Sequence, residues 1–201
     1  MSGGRLRSRL SETTRAAHER LHGHPGFAAA AAGRLDMCAY RDLLARLYGF
    51  HQPFEAEFVK APPAMADAIA LASRRRSEAL AEDLCSLGLA GGVTALPLSR
   101  ALPSCVSEPQ WLGALYVTEG STLGGAQIAR ALERAGFTSA QRRFFEAYGE
   151  RRGWMWRTLL DRLESHADDS DAAAQAESSA QALFEAFEAW MRDWRGAAVS
   201  R

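Results

Sequence analysis

The chain has 201 residues, 47% of them apolar and 24% charged, with 24 basic side chains matched by 24 acidic ones. That length suits one domain burying about 70% of its unfolded surface without staples, and the charge balance gives no global attraction to nucleic acid or to an anionic membrane. Three scattered cysteines, Cys38, Cys85 and Cys105, form no C-x-x-C pair, which argues against a disulfide scaffold and for reduced thiols in a cytoplasmic protein.

The N-terminal "MSGGRLRSRLSETT" lacks an apolar core and is not read as a signal peptide. No run reaches the roughly 18 apolar residues of a membrane span. Alternating β-branched runs are missing, and Ala, Leu, Glu and Arg dominate, so the expected fold class is all-α, one helical domain over 1–201 with tails at 1–8 and 196–201. Six main helices are predicted. The first runs from Ser11 to His22, with Leu10, Thr14, Ala17 and Leu21 on one stripe, His18 at its edge, and "GHPG" as the stop. The second starts after the N-cap Asp36 and runs through "YRDLLARLYGFHQPFEAEF", where Pro53 should kink or break its last turns. The third covers Met65 to Ser86. A loop over 89–108 leads to the fourth, Pro109 to Ala135, ended by Gly136. The fifth covers Ser139 to His166, with a weak point at "YGERRG". The sixth covers Asp171 to Arg195 and carries an aromatic stripe of Phe184, Phe187, Trp190 and Trp194.

Two stretches stand out chemically. In the fourth helix, "LYVTEGSTLGGAQIAR" places Gly120, Gly124 and Gly125 inside a helical pattern. Each costs roughly 1 kcal/mol relative to alanine, so the missing side chains need a reason. Close helix packing is one. A bulky or planar ligand lying on the backbone is the other, Gly120 and Gly124 being four apart on one face. A phosphate loop fails, because no strand precedes the glycines and no Lys-Ser or Lys-Thr follows them.

The other stretch is "TRAAHERLHGHPG". Its "HERLH" fits the zinc-protease pattern H-E-x-x-H. The extended form of that pattern would need a glycine at 25 and a histidine at 28, where Pro25 and Ala28 stand; Glu55 or Glu57 would be the alternative third ligand. "GHPG" ends the helix directly after His22, so the second ligand would sit on a fraying turn, and zinc is set aside. His22 and His24 are expected to be exposed at a helix C-terminus, and His51 to be packed. Combined, the two stretches offer His18 on one helix and a thinned backbone on another. A flat cofactor between them, ligated by histidine on one side and overlaid on the other, fits haem.

These residues resemble the bacterial haem oxygenases, in particular the branch associated with bacteriophytochromes. "LSETTRAAHERLH" is similar to that family's first helix, with His18 at the proximal position. "LYVTEGSTLGGAQIAR" resembles its distal helix, with Gly120, Ser121, Gly124 and Gly125 on the motif positions. "GWMWRTLLDRLES" resembles the segment whose arginine, here Arg157, meets a haem propionate, and Tyr116 matches a tyrosine of the same role. Two departures are plain: Ser11 stands where the family commonly has a propionate-binding lysine, leaving Arg7, Arg9 or Arg15 as substitutes, and the loop 89–108 has no evident counterpart.

The resemblance implies a haem-oxygenase-like bundle holding haem, as both substrate and cofactor, between the first (proximal) and fourth (distal) helices. It implies His18 as the metal ligand and a catalytic residue, Gly120, Ser121 and Gly124 on the oxygen side, and Tyr116, Arg157 and Gly125 among the cofactor contacts. Haem and molecular oxygen would give biliverdin, carbon monoxide and ferrous iron, with the α edge as the family's common outcome. With no nucleotide fingerprint in the chain, electrons would come from a separate donor, a ferredoxin-like protein or a flavin reductase, and a bacteriophytochrome is the recipient that the resemblance to its branch implies. A carrier or sensor holding the same tetrapyrrole without turnover is the rival expectation.

Overall fold

Asp36 accepts the Ala39 N–H at 2.7 Å, and Asp169 accepts the N–H groups of Asp171 and Ala172 at 2.9 and 3.0 Å. These caps, together with a Ser107–Gln110 capping box, open three of the longest helices in the chain. The computed structural model describes residues 5–194. In chain order the helices are α1 (Arg5–His22), α2 (Pro25–Ala31), α3 (Met37–Ala56), α4 (Pro63–Ala68), α5 (Ser77–Ser86), α6 (Glu108–Arg134), α7 (Arg152–Glu164) and α8 (Ser170–Met191), with no strand among the described residues. The all-α expectation stands, and short 3-10 turns make the connections.

Boundaries differ from expectation where a side chain takes over a backbone partner. The first helix starts at Arg5, inside the expected tail, because Leu6 and Leu10 are fully buried and each such side chain contributes about 2 kcal/mol. Glu164 also accepts the free N–H groups of Leu6 and Arg7. Residues 1–4 and the expected tail 196–201 lie outside the described residues, as does Arg195, the expected end of the sixth helix, whose α-helix closes at Met191. Pro53 sits inside α3, which continues to Ala56 before the 3-10 turn Glu57–Lys60.

The expected third helix is two, α4 and α5. Ala70 adopts a left-handed conformation (φ 52°), and the buried Arg74 donates to the Ile69 carbonyl at 2.8 Å, supplying a partner that a continuous helix would have provided. The expected fifth helix begins only at Arg152. Before it, Asp83 accepts the N–H groups of Arg143 and Phe144 at 3.0 Å each, and Tyr148 takes a left-handed φ of 62°. "GHPG" does stop α1, but Pro25 at once starts the short α2, whose N-terminus is capped by His24 Nδ1 accepting the Gly26 N–H at 3.2 Å. His24 is therefore not a solvent-exposed end residue: it stacks on Trp194 with centroids 5.5 Å apart. The loop 89–108 lies on α3, with the Ser99 N–H donating to the Gly49 carbonyl at 2.8 Å.

α8 organises the packing. Both α1 and α6 lie on it and on α7. Arg9 pairs with Glu177 and Arg20 with Glu188, both at 2.7 Å. The two arginines and the two glutamates are each eleven residues apart, so α1 and α8 run in the same direction and in register. On the other flank α6 comes so close that a Cβ on Gly113 would stand 2.0 Å from the Ala176 carbonyl oxygen. The alanines Ala173, Ala176 and Ala180 of α8 are fully buried, and their small size admits this approach.

Candidate functional site

The two stretches singled out in the sequence lie on α1 and α6. The meeting point is Tyr116 of α6, whose phenol contacts the Ser11 hydroxyl of α1 beside Arg7. From there, seven residues along α1 reach His18 and eight along α6 reach Gly124, each a rise of about 11 Å. Gly113 of α6 lies at Ala176, next to Glu177, which α1 meets through Arg9, so both helices reach α8 at this level. His18 returns to the face of Ser11 after two turns, and Gly120 and Gly124 stay near the face of Tyr116. Counted from Ser11 and Tyr116, His18 and Gly124 lie similar distances along their own helices.

On α1 the ring of His18, a residue exposed overall but with its imidazole partly buried, lies edge-on to the ring of His22, centroids 4.4 Å apart. Burial first, then the neighbouring His22, push the His18 imidazole below its usual pKa, with Glu19 opposing. A neutral imidazole keeps a lone pair for a metal at neutral pH. The H-E-x-x-H pattern itself assembles no zinc site: α1 ends at His22, and no group of three or more His, Cys, Asp or Glu converges on a metal position among the described residues.

On the α6 wall the glycines separate by role. A Cβ on Gly124 would meet nothing within 4 Å, and one on Gly120 would meet only the tip of the Trp156 ring, at 3.7 Å. Neither position is demanded by packing in this fold. Gly125 is different: it is buried, and a Cβ on it would lie 3.5 Å from the Phe145 carbonyl oxygen, so its site is on the protein side of α6. Close packing therefore explains Gly113, gives Gly125 an ordinary contact with Phe145, and leaves Gly120 and Gly124 as an open strip of backbone. The exposed Ser121 hydroxyl donates to the Thr118 carbonyl at 2.6 Å, which leaves its lone pairs for an outside donor. Beside it, Leu123 is 48% exposed. This combination of bare backbone and an apolar neighbour suits a flat, largely apolar ligand lying on α6.

Three groups able to donate to a carboxylate are Tyr116, Arg157 and Arg7. Tyr116 is half-buried with its ring 5.4 Å from that of Trp156. Burial raises its pKa, so the phenol stays protonated as a donor. Arg157 follows Trp156 on α7, is exposed, and makes no ion pair among the described residues. Of the three arginines considered in place of a lysine at Ser11, Arg9 is committed to Glu177 and Arg15 pairs with Glu12, whereas Arg7 acts on the Tyr116 phenol.

Behind the α6 wall lies a buried cluster that the sequence did not disclose. Glu119, next to Gly120, is 2% exposed, and Arg74 Nη1 lies 2.8 Å from its Oε2. The Tyr148 hydroxyl donates to Glu119 Oε1 at 2.8 Å. Arg76 stacks over the rings of Phe144 and Tyr148, at 4.3 and 5.5 Å. Glu55 accepts the Arg76 and Ser77 N–H groups and the Ser77 hydroxyl, with His51 Nδ1 at 3.5 Å, so His51 is packed as expected. Burial drives the Glu119 carboxyl above its usual pKa, while Arg74 and Tyr148 pull it back. Glu55 goes the other way: burial pushes it up, but His51, Ser77 and Arg76 together hold it below the ordinary value. Removing one member of such a buried pair costs about 3–5 kcal/mol. The signal available in the sequence was Glu119 beside the glycine motif; nothing in spacing pairs it with Arg74.

The chain matches the family described as "Heme oxygenase" over residues 4–193. A protein of Xanthomonas campestris pv. campestris (strain 8004) named "Heme oxygenase" is 39% identical over 117 residues, which span 57% of this chain and 66% of that protein. Among solved structures, the NO- and CO-bound heme oxygenase of Neisseria meningitidis has the same fold, with a TM-score of 0.69 over 98% of this chain and 95% of that one, at 20% identity.

Proposed function

The chain belongs to the haem oxygenase family, and from that premise we propose that it is a working oxygenase, cleaving haem at the α-meso carbon to biliverdin, carbon monoxide and ferrous iron. The observation that carries this reading is the unfilled Gly120–Gly124 strip on α6, where an added Cβ would meet at most the tip of the Trp156 ring; on this reading His18 of α1 stands across from it. Haem, when bound, supplies the iron at which molecular oxygen is activated and the porphyrin edge that is cleaved.

Each residue has a definable task. His18 presents a lone pair to the metal, and its second ring nitrogen needs a partner to hold the tautomer; His22 is the ring beside it. Gly120 and Gly124 leave the room that a side chain would take, and Ser121 offers a hydroxyl oxygen that would accept a hydrogen bond from an ordered water there. Tyr116, Arg157 and Arg7 donate to propionate carboxylates, a charge-assisted contact for the two arginines, and so set the rotation of the ring in the slot. Electrons come from a separate donor, a ferredoxin-like protein or a flavin reductase, and biliverdin release serves a bacteriophytochrome. No helix among the described residues is long and apolar enough to cross a membrane; the proposed setting is the cytoplasm.

The test is anaerobic loading with haemin, then ascorbate under air with separation of the products. A Soret band that His18→Ala shifts, followed by its loss and the appearance of α-biliverdin, is the expected result. Haem that stays intact through reduction in air would sink the oxygenase reading and leave a carrier or sensor.

A further inference from the structure

Arg74 reaches the residue immediately before each of two site residues. Its Nη1 meets Glu119, the neighbour of Gly120, and its Nη2 donates to the Met155 carbonyl, the neighbour of Trp156, at 2.8 Å and to Thr158 Oγ1 at 3.0 Å. Its Nε holds Ile69 O at the break between α4 and α5. One fully buried guanidinium thus ties α6 to α7 at the height where the Trp156 ring lies over Gly120. Tyr148 braces the other oxygen of the same carboxylate, from a left-handed backbone conformation that non-glycine residues adopt rarely.

We propose that Arg74, Glu119 and Tyr148 form a positioning clamp that fixes the distance between Gly120 and Trp156, and with it the width of the ligand slot on its α6 side. None of the three needs to touch the ligand. A planar guanidinium is the group that can do this, because its five donors point in fixed directions at several elements at once. Arg76 backs the clamp through its stack on Tyr148 and its bond to the Phe144 carbonyl. The inference rests on the slot being the haem site, but its first readout does not need haem.

The experiment compares amide hydrogen exchange in the haem-free chain for wild type, Tyr148→Phe and Glu119→Gln. Tyr148→Phe removes one hydroxyl and is the variant that keeps folding if the charge change does not. With a clamp, the amides of 120–125 exchange at least about ten-fold faster while those of 173–183 stay within about two-fold. Uniform acceleration, or none, would overturn the proposal, because the cluster would then only support the fold. In the haem-loaded ferrous–CO form, the same variants should take up haem as wild type does but shift or broaden the C–O stretch; an unchanged stretch also overturns it. A wild-type chain that gives no Soret band removes the haem reading, whereas the exchange pattern by itself still decides whether the clamp exists.

Discussion

The imidazoles of His18 and His22 lie 4.4 Å apart, ring edge to ring face, on successive turns of α1. The second histidine of the zinc-like pattern is thus a neighbour that modulates the first. Replacing His22 by alanine removes one of the two influences that lower the His18 pKa and leaves the opposing pull of Glu19. The His18 pKa should therefore rise in His22→Ala, as read from an NMR titration of the metal-free chain. An unchanged or lower value would mean that burial by itself sets it.

Gly120 and Gly124 have room for a methyl group in this fold. Alanine at either position should stabilise the haem-free chain by about 0.5–1 kcal/mol, since glycine is the poorer helix former. The same changes should weaken haem uptake or oxygen binding. Gly113→Ala is the contrast: its Cβ would stand 2.0 Å from the Ala176 carbonyl oxygen, so it should cost about 3 kcal/mol or more. Denaturant melts of the three variants beside haem titrations check the opposition, which fails if Gly124→Ala both stabilises and binds normally.

Arg157 is exposed and unpaired among the described residues, so Arg157→Ala should leave stability within about 0.5 kcal/mol. Haem affinity should fall several-fold, about 1 kcal/mol, for the loss of one charge-assisted bond to a propionate at a wet rim. Haem dimethyl ester, which lacks the carboxylates, should bind the variant and wild type equally. A similar loss with the ester would assign Arg157 to packing.

Asp83 is wholly buried, and burial raises its carboxyl pKa to about 6 despite the two backbone N–H groups that it accepts. An acid whose pKa is higher in the folded state than in the unfolded state holds its proton more tightly when folded. Stability is then greatest below the unfolded pKa, near 4, falls as pH rises through about 6, and is level above that. The loss between those limits should be on the order of 3 kcal/mol. Asp83→Asn should abolish this slope, whatever it does to absolute stability, and chemical denaturation at a series of pH values reads both. Wild type and Asp83→Asn profiles that keep the same slope from pH 4 to 7 would refute it, because Glu55 and Glu119 contribute equally to both.

What the sequence disclosed follows from what kind of interaction made each feature. Caps and helical stripes are local, so Asp36, the Pro109 start and the Gly136 end were all legible. The break at "YGERRG" was legible from its glycines, and α7 starts inside it; the break at Ala70 and the loss of helix over 142–148 were not, because they depend on Arg74 and Asp83 reaching segments far away in the chain. In the site, His18, Gly120 and Gly124 were readable as departures from pattern: a histidine beside an apolar stripe and glycines inside a helix. Gly125 shared the motif but faces Phe145, since one residue of helix turns the position by about 100°. The Arg74–Glu119 pair was illegible, as two charges 45 residues apart in number carry no mark of burial.

α8 bears none of the residues assigned to the ligand, yet both walls of the slot are mounted on it. The gap between them is inherited from the volumes of Ala173, Ala176 and Ala180, a row of minimal side chains sealed from solvent. A methylene added in that row would shift one wall bodily while every residue facing the ring stayed the same. Selection for a broader or narrower tetrapyrrole could therefore act on a helix that never meets one, and a mutant library aimed at substrate size belongs on these alanines as much as on the slot.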